Sequence, residues 1–429
     1  MNQRWKAVIL AGCTLAMVPP RAGVGQDGKG IEAVDGAKVA QAIHAGVEYL
    51  KKNPAPGSHH EMSSTDELVL LTLVEARLPD EDPAIQKMLA DMLKAPLERT
   101  YKVVLQAMVL DELDRAKYQN RIWQCAQFLV DNQCQNGQWG YGEPTAAVNN
   151  IPTVTGRKSV ATVGPKPLTP PVTPEVMAAI RRGDRIKPPV AKTLPLEKTK
   201  DGPAGGDNSN SQYAALGLRA CHDAGIKIPE KVIVLARKWW YDTQHPSSEP
   251  AAAAPARPGV ATGPKEALTT PASPRGWCYG DVYGVCKGGP EYASMTAGAV
   301  GAIAILDYLQ GKDGKKNPHV HDGLAWLAKN WSVTENHGPS EVENGVGNAY
   351  LYYYLYALER VGMLLDVGSI GNHSWYPEGA EMLLKAQQPD GSWKGSRPEV
   401  PAWDTCFAIL FLKRATRGLV ATEAAGARK

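Results

Sequence analysis

One short string recurs three times in the same phase, and it constrains the fold more than any other feature. It reads Gln133-Cys-Gln-Asn-Gly137-Gln-Trp139, then Gly276-Trp277, then Gln388-Pro-Asp-Gly391-Ser-Trp393. Each copy follows a helix-period segment with a polar end (WQCAQFLVDNQ, VIVLARKWWYDTQ, GAEMLLKAQQ) and precedes a more apolar one. A helix that stops, a glycine free to take a left-handed turn, and a tryptophan folded back over the helix ends form one structural unit. Gln133, Gly137, Trp139, Trp277, Gln388, Gly391 and Trp393 are therefore read as structural residues of a repeat.

Carrying that phase through the chain yields two alternating sets of predicted helices. The more polar set covers about 39–52, 83–94, 119–131, 229–243, 317–331 and 376–388. The more apolar set covers about 65–77, 100–114, 207–224, 290–309, 344–365 and 401–416. Helices apolar on nearly every face belong inside and amphipathic ones outside. Strict alternation predicts an all-α fold, an (α/α)6 toroid or barrel of six hairpins, as a single unit over 37–417.

Two stretches interrupt the order. Residues 143–206 and 246–275 hold 18 of the 33 prolines, which marks them as Pro-rich insertions in the loops between an outer helix and the next inner one. Both are expected to be extended decoration rather than domains, as is the tail 418–429. The first residues, MNQRWK followed by AVILAGCTLAMV and a small-residue exit, have the form of a signal peptide over 1–25. The expected location is extracytoplasmic, periplasmic or secreted, and Leu10-Ala-Gly-Cys13 has the form of a lipobox that would place a lipid anchor on Cys13. The apolar run is too short to span a bilayer and no other is long enough, so no transmembrane span is expected.

Forty-seven Lys+Arg against 44 Asp+Glu give a net charge of +3, too balanced for a nucleic-acid partner. The cysteines show no CxxC and no paired zinc spacing. In an oxidising compartment the nearest pairs, Cys125 with Cys134 and Cys278 with Cys286, are the candidate disulfides, the second favoured by its Gly-rich surroundings. Cys221 and Cys406 read as buried thiols.

The QxxxGxW-like strings, the helix starts DNSNSQYAALGL and YASMTAG, the helix YLYYYLYALERVG and the segment WDTCFAILFL resemble the prenyltransferase and squalene-cyclase repeat superfamily, in particular its exported, uncharacterised planctomycete-type members. The resemblance implies the toroid and a cavity for an apolar, terpenoid-like ligand. It implies an activity only weakly, because this fold carries unrelated functions. Squalene-hopene-type cyclases of that superfamily protonate a polyene with a DxDD motif, and none occurs here. The nearest strings, Asp80-Glu-Asp82 and Asp111-Glu-Leu-Asp114, are expected to be solvated surface carboxylates. Protein prenyltransferases hold zinc with Asp-x-Cys and a later histidine. Asp404-Thr-Cys406 matches the first part, but no histidine follows it, so Asp404 and Cys406 form a weak metal candidate and no metal or other cofactor is expected.

If every inner helix starts at the same end, one opening gathers Asp66, Tyr101, Asp207, Asn208, Tyr292, Asn344, Asn348, Trp403 and Asp404, with His59 and His60 nearby. A cavity beneath would be lined by Met295, Tyr350, Tyr353 and Tyr354. Asp207, Asn344 and Asp404 are equally explained as helix caps, and no catalytic residue is assigned. Three function classes remain: an apolar small-molecule binder without proton-initiated cyclisation, a polysaccharide-active enzyme using the polar ring, and a cell-envelope module with a protein partner. The sequence leaves oligomeric state open.

Overall fold

The computed structural model describes residues 34–53, 65–144, 187–247, 272–280, 290–338, 350–395 and 401–419. The signal-like segment with Cys13, the residues His59, His60, Cys286, Asn344 and Asn348, most of both Pro-rich stretches and residues 420–429 lie outside them.

Among the described residues the chain forms twelve α-helices: α1 (Gly36–Lys52), α2 (Thr65–Glu75), α3 (Pro83–Lys94), α4 (Thr100–Asp114), α5 (Gln119–Asp131), α6 (Asn208–Asp223), α7 (Glu230–Asp242), α8 (Ala293–Leu309), α9 (Pro318–Lys329), α10 (Leu351–Leu364), α11 (Trp375–Ala386) and α12 (Pro401–Lys413). Each coincides with one of the twelve predicted segments. No described helix is long and apolar enough to cross a membrane.

Local chemistry accounts for the helix starts. Asp35 accepts from the amides of Ala37 and Lys38 ahead of α1, and Asp82 with Pro83 opens α3. The odd-numbered helices other than α5 bury a stripe, as α1 does with Val39, Ala42, Gly46, Val47 and Leu50. The even-numbered ones are buried on nearly every side, as α8 is from Ala293 through Asp307. The even helices pack in cyclic order, α2 on α4, α4 on α6, α6 on α8, α8 on α10, α10 on α12, and α12 back on α2. The odd helices pack against them, with α5 against α4 and α6, α7 and α9 against α8, and α1 against α11 and α12.

The repeat string has the same geometry three times. The Trp139, Trp277 and Trp393 indoles each donate to a carbonyl of the preceding odd helix, Leu129 (2.7 Å), Trp240 (2.8 Å) and Leu383 (2.8 Å). Their backbone amides donate to a hydroxyl in the following even helix, Ser211 (2.9 Å), Thr296 (3.1 Å) and Thr405 (3.0 Å). Each tryptophan thus pins an odd helix to the even helix that follows it.

The glutamine of the string ties successive odd helices together. Gln133 Nε2 donates to Val232 O (2.8 Å) in α7, Gln244 to His319 O (3.0 Å) in α9, and Gln387 to Ala42 O (2.9 Å) in α1. Gln388, read from the sequence as the repeat glutamine, is instead exposed and bonds only locally to Ala386 O. The true equivalent lies six residues before the tryptophan, as Gln133 lies before Trp139.

Two expectations about the periphery change. Residues 187–199 are not loose decoration: Leu194–Pro195 pair in parallel with Ile226–Lys227, Trp123 Nε1 donates to Pro195 O (2.8 Å), and Gln127 to Glu197 O (2.8 Å). This segment covers the outer face of α5, which is why that helix is buried from Trp123 through Asp131 apart from Gln124. Asp111 and Glu112 are likewise buried, not solvated. Glu112 pairs with Arg77 (2.8 Å), Lys187 (3.1 Å) and Arg417 (2.6 Å), and Asp111 pairs with Arg115 (2.9 Å) and Lys187.

Candidate functional site

The predicted site residues divide into those that hold loops and those that face inward. Asp207 caps α6: its Oδ1 accepts from Asn210 N (2.7 Å) and Ser209 Oγ (2.7 Å), and its Oδ2 from Asn210 Nδ2 (2.8 Å). Burial pushes its carboxyl above the ordinary range, and the hydrogen bonds oppose that rise. Asn208 is structural, accepting from Trp239 Nε1 (2.8 Å) and Gln138 Nε2 (3.1 Å) and donating to Cys278 O (2.9 Å).

Asp404 is not an N-cap of its own helix. Its Oδ2 accepts from Gly395 N (2.7 Å), so it anchors the loop that follows Trp393. Burial raises its carboxyl to about 6, with the Gly395 bond opposing. Cys406 is buried, and desolvation pushes its thiol up to about 12. A carboxylate already holding a backbone amide beside a neutral buried thiol does not supply the thiolate that zinc needs. Among the described residues no group of three or more metal-ligating side chains gathers.

Asp66 is exposed in the first turn of α2, apart from the buried set. Tyr350, expected in the cavity, is 41% exposed and precedes α10 in a left-handed conformation (φ 66°). Met295 is buried in the core. Tyr354 is also fully buried, but its hydroxyl donates to Ser332 O (3.0 Å) and so does not line a cavity. Tyr292 and Trp403 are part-buried beside the core, at the starts of α8 and α12.

Tyr101 and Tyr353 do come together, through residues that sequence reasoning missed. The Tyr213 ring of α6 lies between them, 4.6 Å from Tyr101 and stacked 6.0 Å from Tyr353. Tyr353 and Tyr356 pack on Phe407 of α12 at 5.7 and 5.8 Å. Arg360 of α10 lies over Tyr356 (4.4 Å) and Tyr213 (5.3 Å) and is 2% exposed. Its Nη2 donates to Gln212 Oε1 (2.7 Å), and Gln212 Nε2 donates to the Tyr353 hydroxyl (2.8 Å). The sequence signal was present: Glu359-Arg360 is the charged pair inside an otherwise apolar, Tyr-rich helix.

Beyond α12 the chain crosses to the other side of the cycle. Thr416 donates through N (2.9 Å) and Oγ1 (2.7 Å) to Glu359 of α10. Arg417 reaches Glu112 of α4, and Arg219 of α6 donates to the carbonyls of Arg417 (2.7 Å) and Gly418 (2.9 Å). Since α4 and α6 are not neighbours of α12, residues 416–418 form a strap over the C-terminal ends of the even helices. Burial raises Glu359 to about 7.

The cysteines depart from expectation at one candidate pair, Cys125 with Cys134, and agree with it at Cys221, Cys406 and Cys278. Cys125 and Cys134 are free and buried, as are Cys221 and Cys406. Cys278 is disulfide-bonded, to a partner outside the described residues.

The chain matches no family model and no curated protein.

Proposed function

We propose that the chain is an (α/α)6 toroid of the prenyltransferase and squalene-cyclase kind that holds an apolar, terpenoid-like molecule within its inner helices, without proton-initiated cyclisation. The cyclic packing of the even helices and the thrice-repeated tryptophan geometry support the toroid. The disulfide at Cys278 supports an oxidising, extracytoplasmic location.

One observation carries the ligand reading. Tyr101 and Tyr353 each keep accessible surface where their rings gather with Tyr213 and Phe407. In this reading the clustered aromatic rings are the lining that an apolar ligand contacts. The strap 416–418 lies at the C-terminal ends of the helices, and in this reading the ligand enters from the end near Asp207. Asp207 and Asp404 are each engaged with the backbone of their own loops, which argues against a pair of free carboxylates for polysaccharide chemistry.

Native mass spectrometry of the full chain incubated with farnesol or squalene tests the proposal. The expected result is a stoichiometric adduct with at least one of them; bare protein throughout would overturn it.

A further inference from the structure

Residues 416–418 cross the C-terminal ends of the even helices through polar contacts, and one of those contacts changes with protonation. The segment leaves α12 at Arg414, whose positive φ (50°) ends the helix, and of residues 414–419 only Thr416 is buried. Hydrogen bonds rather than packing therefore hold it, the condition under which a segment opens locally at small cost. Its anchors come from three even helices. Glu359 of α10 accepts from Thr416 N (2.9 Å) and Oγ1 (2.7 Å), Arg219 of α6 donates to the carbonyls of Arg417 (2.7 Å) and Gly418 (2.9 Å), and Glu112 of α4 accepts from Arg417 (2.6 Å). Arg219 remains a cation. Glu112 remains an anion because, against its burial, Lys187, Arg417 and Arg77 hold its carboxyl down to about 2. Glu359 is the anchor that titrates: it is 0% exposed, and burial pushes its carboxyl up to about 7, against the Thr416 bonds and the charges of Arg360 and Arg414.

We infer that residues 416–418 are a proton-operated clasp, shut while Glu359 is neutral and released when it is ionised. Both charge states satisfy Thr416. The carboxylate accepts from its amide and its hydroxyl, whereas the neutral acid accepts from the amide and donates its own proton to the hydroxyl oxygen. Hydrogen bonding thus changes little, and the cost of enclosing a charge decides. Opening lets water reach the carboxylate and returns it toward its ordinary 4.5. Closure is therefore fully supported below about pH 4.5, and that support is lost as pH rises to about 7. The other groups facing Glu359 do not titrate over this range: Arg360 and Arg414 remain cations, and burial keeps the Tyr356 and Tyr376 hydroxyls neutral. Glu75, which faces Glu112, Arg77, Lys187 and Arg417, is raised by burial to about 8, so the clasp is read below that pH. The clasp does not depend on the ligand reading.

Hydrogen–deuterium exchange of the full chain at about pH 5.5 and about pH 7.5, corrected for the intrinsic pH dependence of exchange, reads the clasp at residues 414–419. Protection there is expected to fall roughly tenfold or more from the lower pH to the higher, while that of α8 stays level. Glu359→Gln offers Thr416 the same acceptor and donor as the neutral acid and cannot ionise, so its segment should stay protected at both values. Equal protection of 414–419 at the two pH values in the parent, or a fall that α8 shares in equal measure, would overturn the clasp. So would a fall of the parent's size in Glu359→Gln. If Glu359→Gln does not fold, the parent comparison decides alone.

Discussion

Gly391 lies directly on the carbonyl of Ala45, so the last repeat string meets the first helix of the chain: a Cβ at position 391 would fall 2.4 Å from Ala45 O. Gly137 stands in the same relation to Leu235 O, also at 2.4 Å. Both have positive φ, 88° and 98°. The glycine is thus required twice, once for the turn and once for the approach of the next odd helix.

Gly391→Ala should accordingly destabilise the protein by about 2–4 kcal/mol, combining left-handed strain with displacement of α1. Gly311→Ala provides the comparison, since Gly311 has φ 68° but open space around it. It should cost only the strain, about 1 kcal/mol. Urea unfolding of the two variants checks the difference; equal losses would mean that the contact with Ala45 contributes nothing.

The glutamines at 387 and 388 should behave oppositely although they are adjacent. Gln387 Nε2 bonds Ala42 O and Gly391 O, whereas Gln388 is exposed. Gln387→Ala should lose about 1–2 kcal/mol and Gln388→Ala less than about 0.5. Thermal melts of both variants measure this, and a larger loss at 388 would return the repeat register to the one read from sequence.

Asp404 sets a pH dependence with a defined sign. Its carboxyl titrates near 6 in the folded protein and near the ordinary 3.8 when unfolded, so the unfolded state releases its proton first as pH rises. The contribution of this residue to stability is full below about pH 4 and is lost as pH climbs to about 6. Asp404→Asn retains an acceptor for Gly395 N and removes the titration, so it should gain on the parent between those pH values and hold that gain above them. Asp404→Ala should be weaker than both at pH 4, by about 1 kcal/mol for the lost acceptor. Chemical denaturation across pH 4–8 tests the prediction; a parent that gains stability over this interval through Asp404 would contradict it.

Thiol chemistry should separate the cysteines into two classes. Cys125, Cys134, Cys221 and Cys406 are buried with thiols pushed upward by desolvation, Cys134 to about 11 and Cys125 and Cys406 to about 12. Iodoacetamide should leave these four unmodified in the native protein and alkylate them after denaturation without reductant. Cys278 should become alkylated only after reduction. Peptide mass mapping reads out both, and native labelling of Cys134 would show that the string around Gly137 opens.

The amino-acid sequence by itself determined the twelve helices, their alternation and the role of the three tryptophans. Amphipathic period, capping residues and the Gly-x-Trp turn are encoded within one or two helical turns, so no distant partner is needed to read them. Tertiary structure alone decided which glutamine is the repeat residue, because the choice between Gln387 and Gln388 depends on where Ala42 arrives. It also decided that Asp111 and Glu112 are buried, since Lys187 and Arg417, far away in the chain, supply the charges that make their burial tolerable. The same holds at the candidate site. Tyr101 and Tyr353 were legible as aromatic residues of the more apolar helices, but Tyr213, Gln212 and Arg360 become a set only when α6 and α10 face one another. Whether a charge is solvated or enclosed depends on the field and volume contributed by other segments, and local pattern contains neither.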